Sequence, residues 1–271
     1  MKNRFTRIIL LILTAGIFLF SSVMVLSYCM EMRNSQKAYE ELTQMIVATV
    51  PQETQLQEEI AEEVTESEET IPEEEENYVK VVAPIQVDFE ALLAQNSDVI
   101  GWLYSPETKI NYPVVQAGDN EYYLNRLLNR QGNAGGTLFM DYRNNSDMTS
   151  WNSVIYGHNM NNKSMFGTLV YYKTQSYFDA HPEMYFLTPE GDYVVRFVAG
   201  FVAKSSDELF NSLNPGEEKK EELLQAWLEA SSITSDVQPT TEDRFLTLST
   251  CSYEFKNARY VLIGVLTDRA E

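Results

Sequence analysis

From Ile8 to Tyr28 the chain reads IILLILTAGIFLFSSVMVLSY, 21 residues without a charge, and no other feature restricts its folding as much. As a helix rising about 1.5 Å per residue, such a run covers about 30 Å, the thickness of a bilayer's hydrocarbon core. It can cross a membrane. Lys2, Arg4 and Arg7 precede it without an acid, whereas residues 31–80 hold 15 acids and three bases. By the positive-inside rule, that asymmetry sets residues 1–7 in the cytoplasm, 8–28 in the bilayer and the remainder outside the cell. A cleaved signal peptide has a shorter apolar run and a small-residue cleavage site, and SSVMVLSYCM offers no clean one. A lipid-modified Cys29 would want a small residue where Tyr28 stands, so Cys29 reads as a small apolar residue ending the span. A single retained anchor is the expectation.

Residues 29–80 form a juxtamembrane segment and linker. The stretch 31–48 can continue as a helix, but 51–77 carries 12 glutamates, no Lys or Arg, and prolines at 51 and 72. Like charges repel and little there is apolar, so an extended, solvated tether is predicted. The folded domain is residues 81–271, long enough for its own core. With 40 acids against 20 bases the formal charge is -20, which argues against binding nucleic acid. Two cysteines and two histidines exclude a disulfide scaffold and a structural zinc site; no metal and no cofactor are expected.

Within the domain, Asp88 can cap a short helix through Asn96, and Asn120 another that carries Tyr123, Leu124, Leu127 and Leu128. VIGWLYS, INYPVVQ, GGTLFMDY and NSVIYGH are strand-like runs punctuated by Gly, Pro or Asn. PEMYFLT and GDYVVRFVAGFVA flank a turn and read as a hairpin, and Pro215 to Ser231 is an amphipathic helix with Leu223, Leu224, Trp227 and Leu228 on its apolar face. RFLTLSTC and RYVLIGVLT complete a mainly β domain with inserted helices, a barrel or a sandwich.

Chemistry is expected at Cys251. Its possible disulfide partner stands at the membrane, so it is a free thiol, either a buried small hydrophobe or a nucleophile. A strand end opening into a loop favours the nucleophile. A thiol needs a group that titrates in its range, and the candidates are His158, after the strand-like VIYG, and His181 in DAHPEM. An acyl intermediate also needs a donor for its oxyanion. Arg259, eight residues after Cys251 on the next strand, can lie beside the sulfur, although a single arginine is more often only a surface charge.

These residues resemble the sortases. TLSTCSYEFKNARYVLIG (247–264) is similar to their cysteine and arginine motif, and NSVIYGHN (152–159) to their histidine motif. The helix inserted before the cysteine strand, the N-terminal helical stretch and FMDYRN resemble class B members, and the likeness covers nearly all of residues 85–268. It implies a closed eight-stranded barrel and a cysteine transpeptidase at a Gram-positive cell surface, with Cys251 as nucleophile, His158 as acid and base, and Arg259 as oxyanion donor. The implied partners are secreted proteins bearing a C-terminal sorting signal, NPxTx-like or (S/N)PxTG-like, and an amine of a peptidoglycan precursor.

Class B resemblance also implies that Ser249 contacts substrate or orients Arg259, with Thr250 and Ser252 as neighbouring substrate contacts. Some relatives have an acid where Ser252 stands. Asp141 is a candidate to orient His158, though sortases do not need a tight triad. Two rivals stand beside this expectation. One is a tethered binding domain that has lost catalysis, disfavoured because all three residues are present. The other is a pilin-polymerising sortase, whose lid segment and second membrane span are not recognisable here.

Overall fold

The structure is a computed structural model that describes residues 2–49 and 83–268; the acidic tether expected over 51–77 lies outside the described residues. Helix α1 runs unbroken from Lys2 to Ile46. Its most apolar stretch is uncovered by the rest of the protein. Beyond Tyr28 the pattern changes to apolar or small residues three and four apart, and Ser35, Tyr39, Leu42 and Ile46 are buried against the domain. Strand β1 (Val47–Thr49) then pairs antiparallel with β2 (Ile85–Val87). Helix α2 (Phe89–Gln95) follows, its first turn capped as expected by Asp88, whose carboxylate accepts the amide of Ala91 at 2.9 Å.

The next eight strands close into a barrel. They are β3 (Val99–Tyr104), β4 (Asn111–Val115), β5 (Leu138–Met140), β6 (Asn152–Gly157), β7 (Glu183–Leu187), β8 (Asp192–Lys204), β9 (Arg244–Cys251) and β10 (Ala258–Asp268). Their order is β10-β8-β7-β3-β4-β5-β6-β9, closed, and it has no unpaired edge. Two pairs are parallel, β4 with β5 and β6 with β9. A parallel pair needs a long crossover, and between β6 and β9 the chain lays down helix α3 (Gln175–Ala180), the β7–β8 hairpin and an insertion over residues 205–243. Leu103, Val114, Leu138, Ile155, Phe186, Leu246, Leu248 and Leu262 fill the barrel.

The insertion carries α4 (Glu208–Asn211) and α5 (Glu217–Ala230). Leu223, Leu224 and Trp227 of α5 cover the outer face of the barrel at Val198, Phe245, Val261 and Ile263. Trp227 stacks on Trp151 at 5.1 Å, and Phe245 meets both rings edge-on. Leu228, expected on the same face, is exposed instead. The helix expected after Asn120 is a single 3-10 turn, Tyr122–Asn125. Asp119 caps it, accepting the amides of Glu121 and Tyr122 at 2.8 Å each. Asn120 cannot cap because its side chain donates to the buried carboxylate of Asp141 and accepts from the amide of Tyr142.

Candidate active site

Strand register brings three distant stretches of chain abreast. In the parallel pair of β6 and β9, Gly157 lies opposite Thr250, so His158 is one step past the last paired residue and Cys251 is its counterpart. In the antiparallel pair of β9 and β10, Arg259 lies directly opposite Cys251. Adjacent strands are about 4.8 Å apart, so the backbones of His158 and Arg259 flank that of Cys251 on its two neighbouring strands. Alternation settles the face. Leu246 and Leu248 point into the barrel, whereas Phe245 belongs to the cluster under α5, so Ser249 and Cys251 point outward with it. Tyr156 lies opposite Ser249, and two residues on, His158 shares that face. The α5 helix covers this face only at the far end of the strands, and Cys251 is half-buried.

His158 is held from a direction the sequence did not announce. Its Nε2 lies 2.7 Å from the carbonyl oxygen of Leu124. A carbonyl can only accept, so Nε2 carries the hydrogen and Nδ1 is the nitrogen left to exchange a proton. Gly157, the residue before it, packs closely against Leu138 and Phe166. A Cβ there would meet Leu138 Cδ2 at 2.4 Å and the Phe166 ring at 2.6 Å. Asn159, the next residue, donates from Nδ2 to the carbonyl of Cys251 at 2.9 Å, tying the histidine segment to the cysteine strand. Arg259 donates from Nη1 to the carbonyl of Ala258 at 3.2 Å, and among the described residues no carboxylate pairs with it. A guanidinium without an acid beside it keeps its donors for an anion.

The residues around Cys251 differ in what they can reach. Ser249 shares its face but is buried, and its hydroxyl has no partner among the described residues. Thr250 is on the opposite, inward face and donates to the carbonyl of Gly157 at 2.8 Å, which makes it a brace between β6 and β9. Ser252 is buried too. Its hydroxyl donates to Glu254 at 2.5 Å and accepts from Lys173 Nζ at 2.8 Å, while Lys173 also pairs with Glu254. Lys173, and next Ser252, hold the Glu254 carboxyl down at about 2. This three-residue clasp fixes the loop that starts at Cys251 and ends at Arg259, and the amide of Ser252 closes it by donating to Ala258 at 3.0 Å.

His181 and Asp141 lie elsewhere. The carbonyl of Pro182, next to His181, accepts from Phe197, and Phe197 is aligned with Gly264. That is five residues along β10 from Arg259, about 17 Å at the usual rise. Asp141 is fully buried, and its amide donates to Val154, four residues before His158 on β6. Its oxygens are taken by Arg143 (2.8 Å to each), Tyr156 (3.0 Å) and Asn120 (3.0 Å). Burial pushes this carboxyl up, but those donors outweigh it and hold it below its ordinary value. Asp141 therefore organises Tyr156 and the β5–β6 turn, and does not touch His158. Beside it lies an open polar cavity of about 630 Å³ between the barrel and the insertion, lined by Asn120, Asp141, Tyr156, Ser205, Asn211 and Lys219. Ser205 donates to Asn257 in the loop after Cys251. Among the described residues no group of three His, Cys, Asp or Glu side chains is placed to ligate a metal.

Such a barrel, with a cysteine flanked on its two neighbouring strands by histidine and arginine, defines a class of acyl-transfer enzyme. Residues 103–267 match the family model described as the sortase domain, and the chain belongs to the sortase family. It is 34% identical over 176 residues to sortase B of Listeria monocytogenes, an alignment covering 64% of this chain and 72% of the relative. The structure of a Staphylococcus aureus sortase B–substrate complex superposes with a TM-score of 0.69 at 27% identity, covering 89% of this chain and all (100%) of that one. A sortase B complexed with triglycine gives a TM-score of 0.68 at 25% identity, covering 88% and 99% of the two chains. Within the family the chain is a class B member.

Proposed function

We propose that the chain is a membrane-anchored cysteine transpeptidase that attaches secreted proteins to a peptidoglycan amine. The observation that carries this reading is the register that sets His158, Cys251 and Arg259 side by side on one outward face. The Cys251 thiolate attacks the carbonyl carbon of a peptide bond in the sorting signal, and the Arg259 guanidinium receives the charge that moves onto the oxygen. The C–N bond then breaks as protonated His158 gives its proton from Nδ1 to the departing amine, leaving a thioester. An incoming amine attacks that thioester, His158 removes its proton, and the C–S bond breaks to restore the thiolate. Water does the same more slowly and gives hydrolysis.

The polar cavity beside Tyr156 suits a peptide rich in amide and hydroxyl groups, and we assign the upstream part of the signal to it. The S. aureus relative was solved with a substrate and another sortase B with triglycine, whose free amine belongs to the acceptor class proposed here. The uncovered apolar stretch of α1 supports an anchor, and the charge asymmetry supports an extracellular catalytic domain. The test incubates the full chain with NPxTx-like and (S/N)PxTG-like peptides, with and without triglycine. The expected result is a peptide–triglycine product with the amine and slow hydrolysis without it, both abolished in Cys251→Ala. Product formation by Cys251→Ala would sink the reading.

A further inference from the structure

Helix α1 does not hold the barrel away from its apolar stretch on a stalk. Leu26, Tyr28 and Cys29, at the end of that stretch, share a cavity of about 530 Å³ with Met160, Asn161 and Asn162, the residues that follow His158 and Asn159. On another side of the helix, Ser27 and Met30 share a cavity with Leu127, Asn129, Gln131 and Gly132. Two barrel loops thus meet α1 at the level where its apolar residues give out. The junction is bonded. Glu31 accepts the amide of Ala134 at 2.7 Å, and Tyr39 donates to the carbonyl of Gly136 at 2.9 Å. Gly135 comes so close that a Cβ would meet Ser35 Oγ at 2.7 Å.

The charge of these loops is opposite to that of the molecule. Residues 122–140 and 157–170 hold Arg126, Arg130 and Lys163 and no acid, in a chain with twice as many acids as bases. Exposed Arg33 on α1 adjoins the first cavity. Glu31 borders the second cavity, and Arg130 pairs with Asp98 at 3.2 Å. With Arg33, Arg126, Lys163 and the side chains of Asn129, Gln131, Asn161 and Asn162, the base of the span is still ringed mainly by cations and amides, suited to the phosphate and carbonyl oxygens of a lipid surface.

We propose that the loops 127–133 and 159–163 lie in the phospholipid headgroup layer, so that the barrel is seated on the outer face of the bilayer. His158 is two residues from Met160, at most about 7 Å of chain. The acyl-transfer face then works at the membrane surface, and it favours peptides presented there over peptides in bulk solution. This inference rests on the reading of α1 as a membrane span, and the experiment separates the two.

In a Cys29→Ser, Cys251→Ser background, a single cysteine is placed at Asn161, at Ile17 in the span, or at Glu190 in the turn joining β7 and β8, and labelled with an environment-sensitive fluorophore. The full chain is reconstituted in vesicles of phosphatidylcholine and phosphatidylglycerol in equal parts, carrying nitroxides on either the headgroup or the acyl chain. The expected result is that the label at 161 loses most of its emission to headgroup nitroxides, the label at 17 to acyl-chain nitroxides, and the label at 190 to neither. Quenching at 17 without quenching at 161 overturns the seated barrel while keeping the anchor. No quenching at either position overturns both.

Discussion

Arg259 and His158 flank one cysteine but are assigned different work, and single substitutions separate them. Arg259→Ala removes the oxyanion donor, so kcat/KM for a sorting peptide should fall by about 10²–10³-fold, the usual cost of losing one such donor. Alkylation of Cys251 by a haloacetamide forms no oxyanion, and its rate should stay near that of the parent; an equal loss in both assays would mean that Arg259 only shapes the site. At the same scale, the clasp of Lys173, Ser252 and Glu254 makes a pH prediction. The Glu254 carboxyl stands at about 2 against an ordinary 4.5. A depressed carboxyl contributes its stabilisation in full above the ordinary value and loses it as pH falls through the lowered one. Amide protection of residues 252–257 should therefore weaken between about pH 4.5 and 2. In Glu254→Gln it should already be weak at neutral pH, and wild-type protection in that variant would remove the clasp from the account.

Among the elements, β6 is the one whose backbone path the site depends on. Gly157→Ala puts a methyl group into Leu138 and Phe166, and overpacking of this kind costs about 1–3 kcal/mol. Urea unfolding should show that loss. Because His158 follows directly, kcat should fall more than stability alone explains at a temperature where the variant is folded; unchanged kcat would show that the histidine's position does not depend on this contact. The strands themselves were legible, since runs of β-branched and aromatic residues with Gly, Pro and Asn between them are a local signal, and so were the hairpin turn at 189–192 and helix α5. Their pairing was not. Lys173 meets Ser252 across 79 residues, Asn159 meets Cys251 across 92, and His158 meets Leu124 across 34. No local pattern encodes contacts at such separations. The same blindness made Asp141 a tempting partner for His158: register places it opposite Val154, about 13 Å back along the strand. Strand β1 escaped notice because three residues carry too little pattern, and its partner begins at Ile85, beyond the acidic stretch.

For the molecule as a whole, the candidate trio was readable because Cys251 and Arg259 share one hairpin and His158 lies in a motif of its own, whereas the seating of α1 against the barrel appears only when both are folded together. The proposed reaction requires Cys251 to carry the acyl group. Its most direct test is time-resolved intact-protein mass spectrometry of the full chain with a sorting peptide and no acceptor amine. The predicted result is a transient mass increase equal to the upstream peptide fragment, mapped to Cys251, discharged by added triglycine and absent from Cys251→Ala. An adduct that survives in Cys251→Ala, or that maps to another residue, would contradict it.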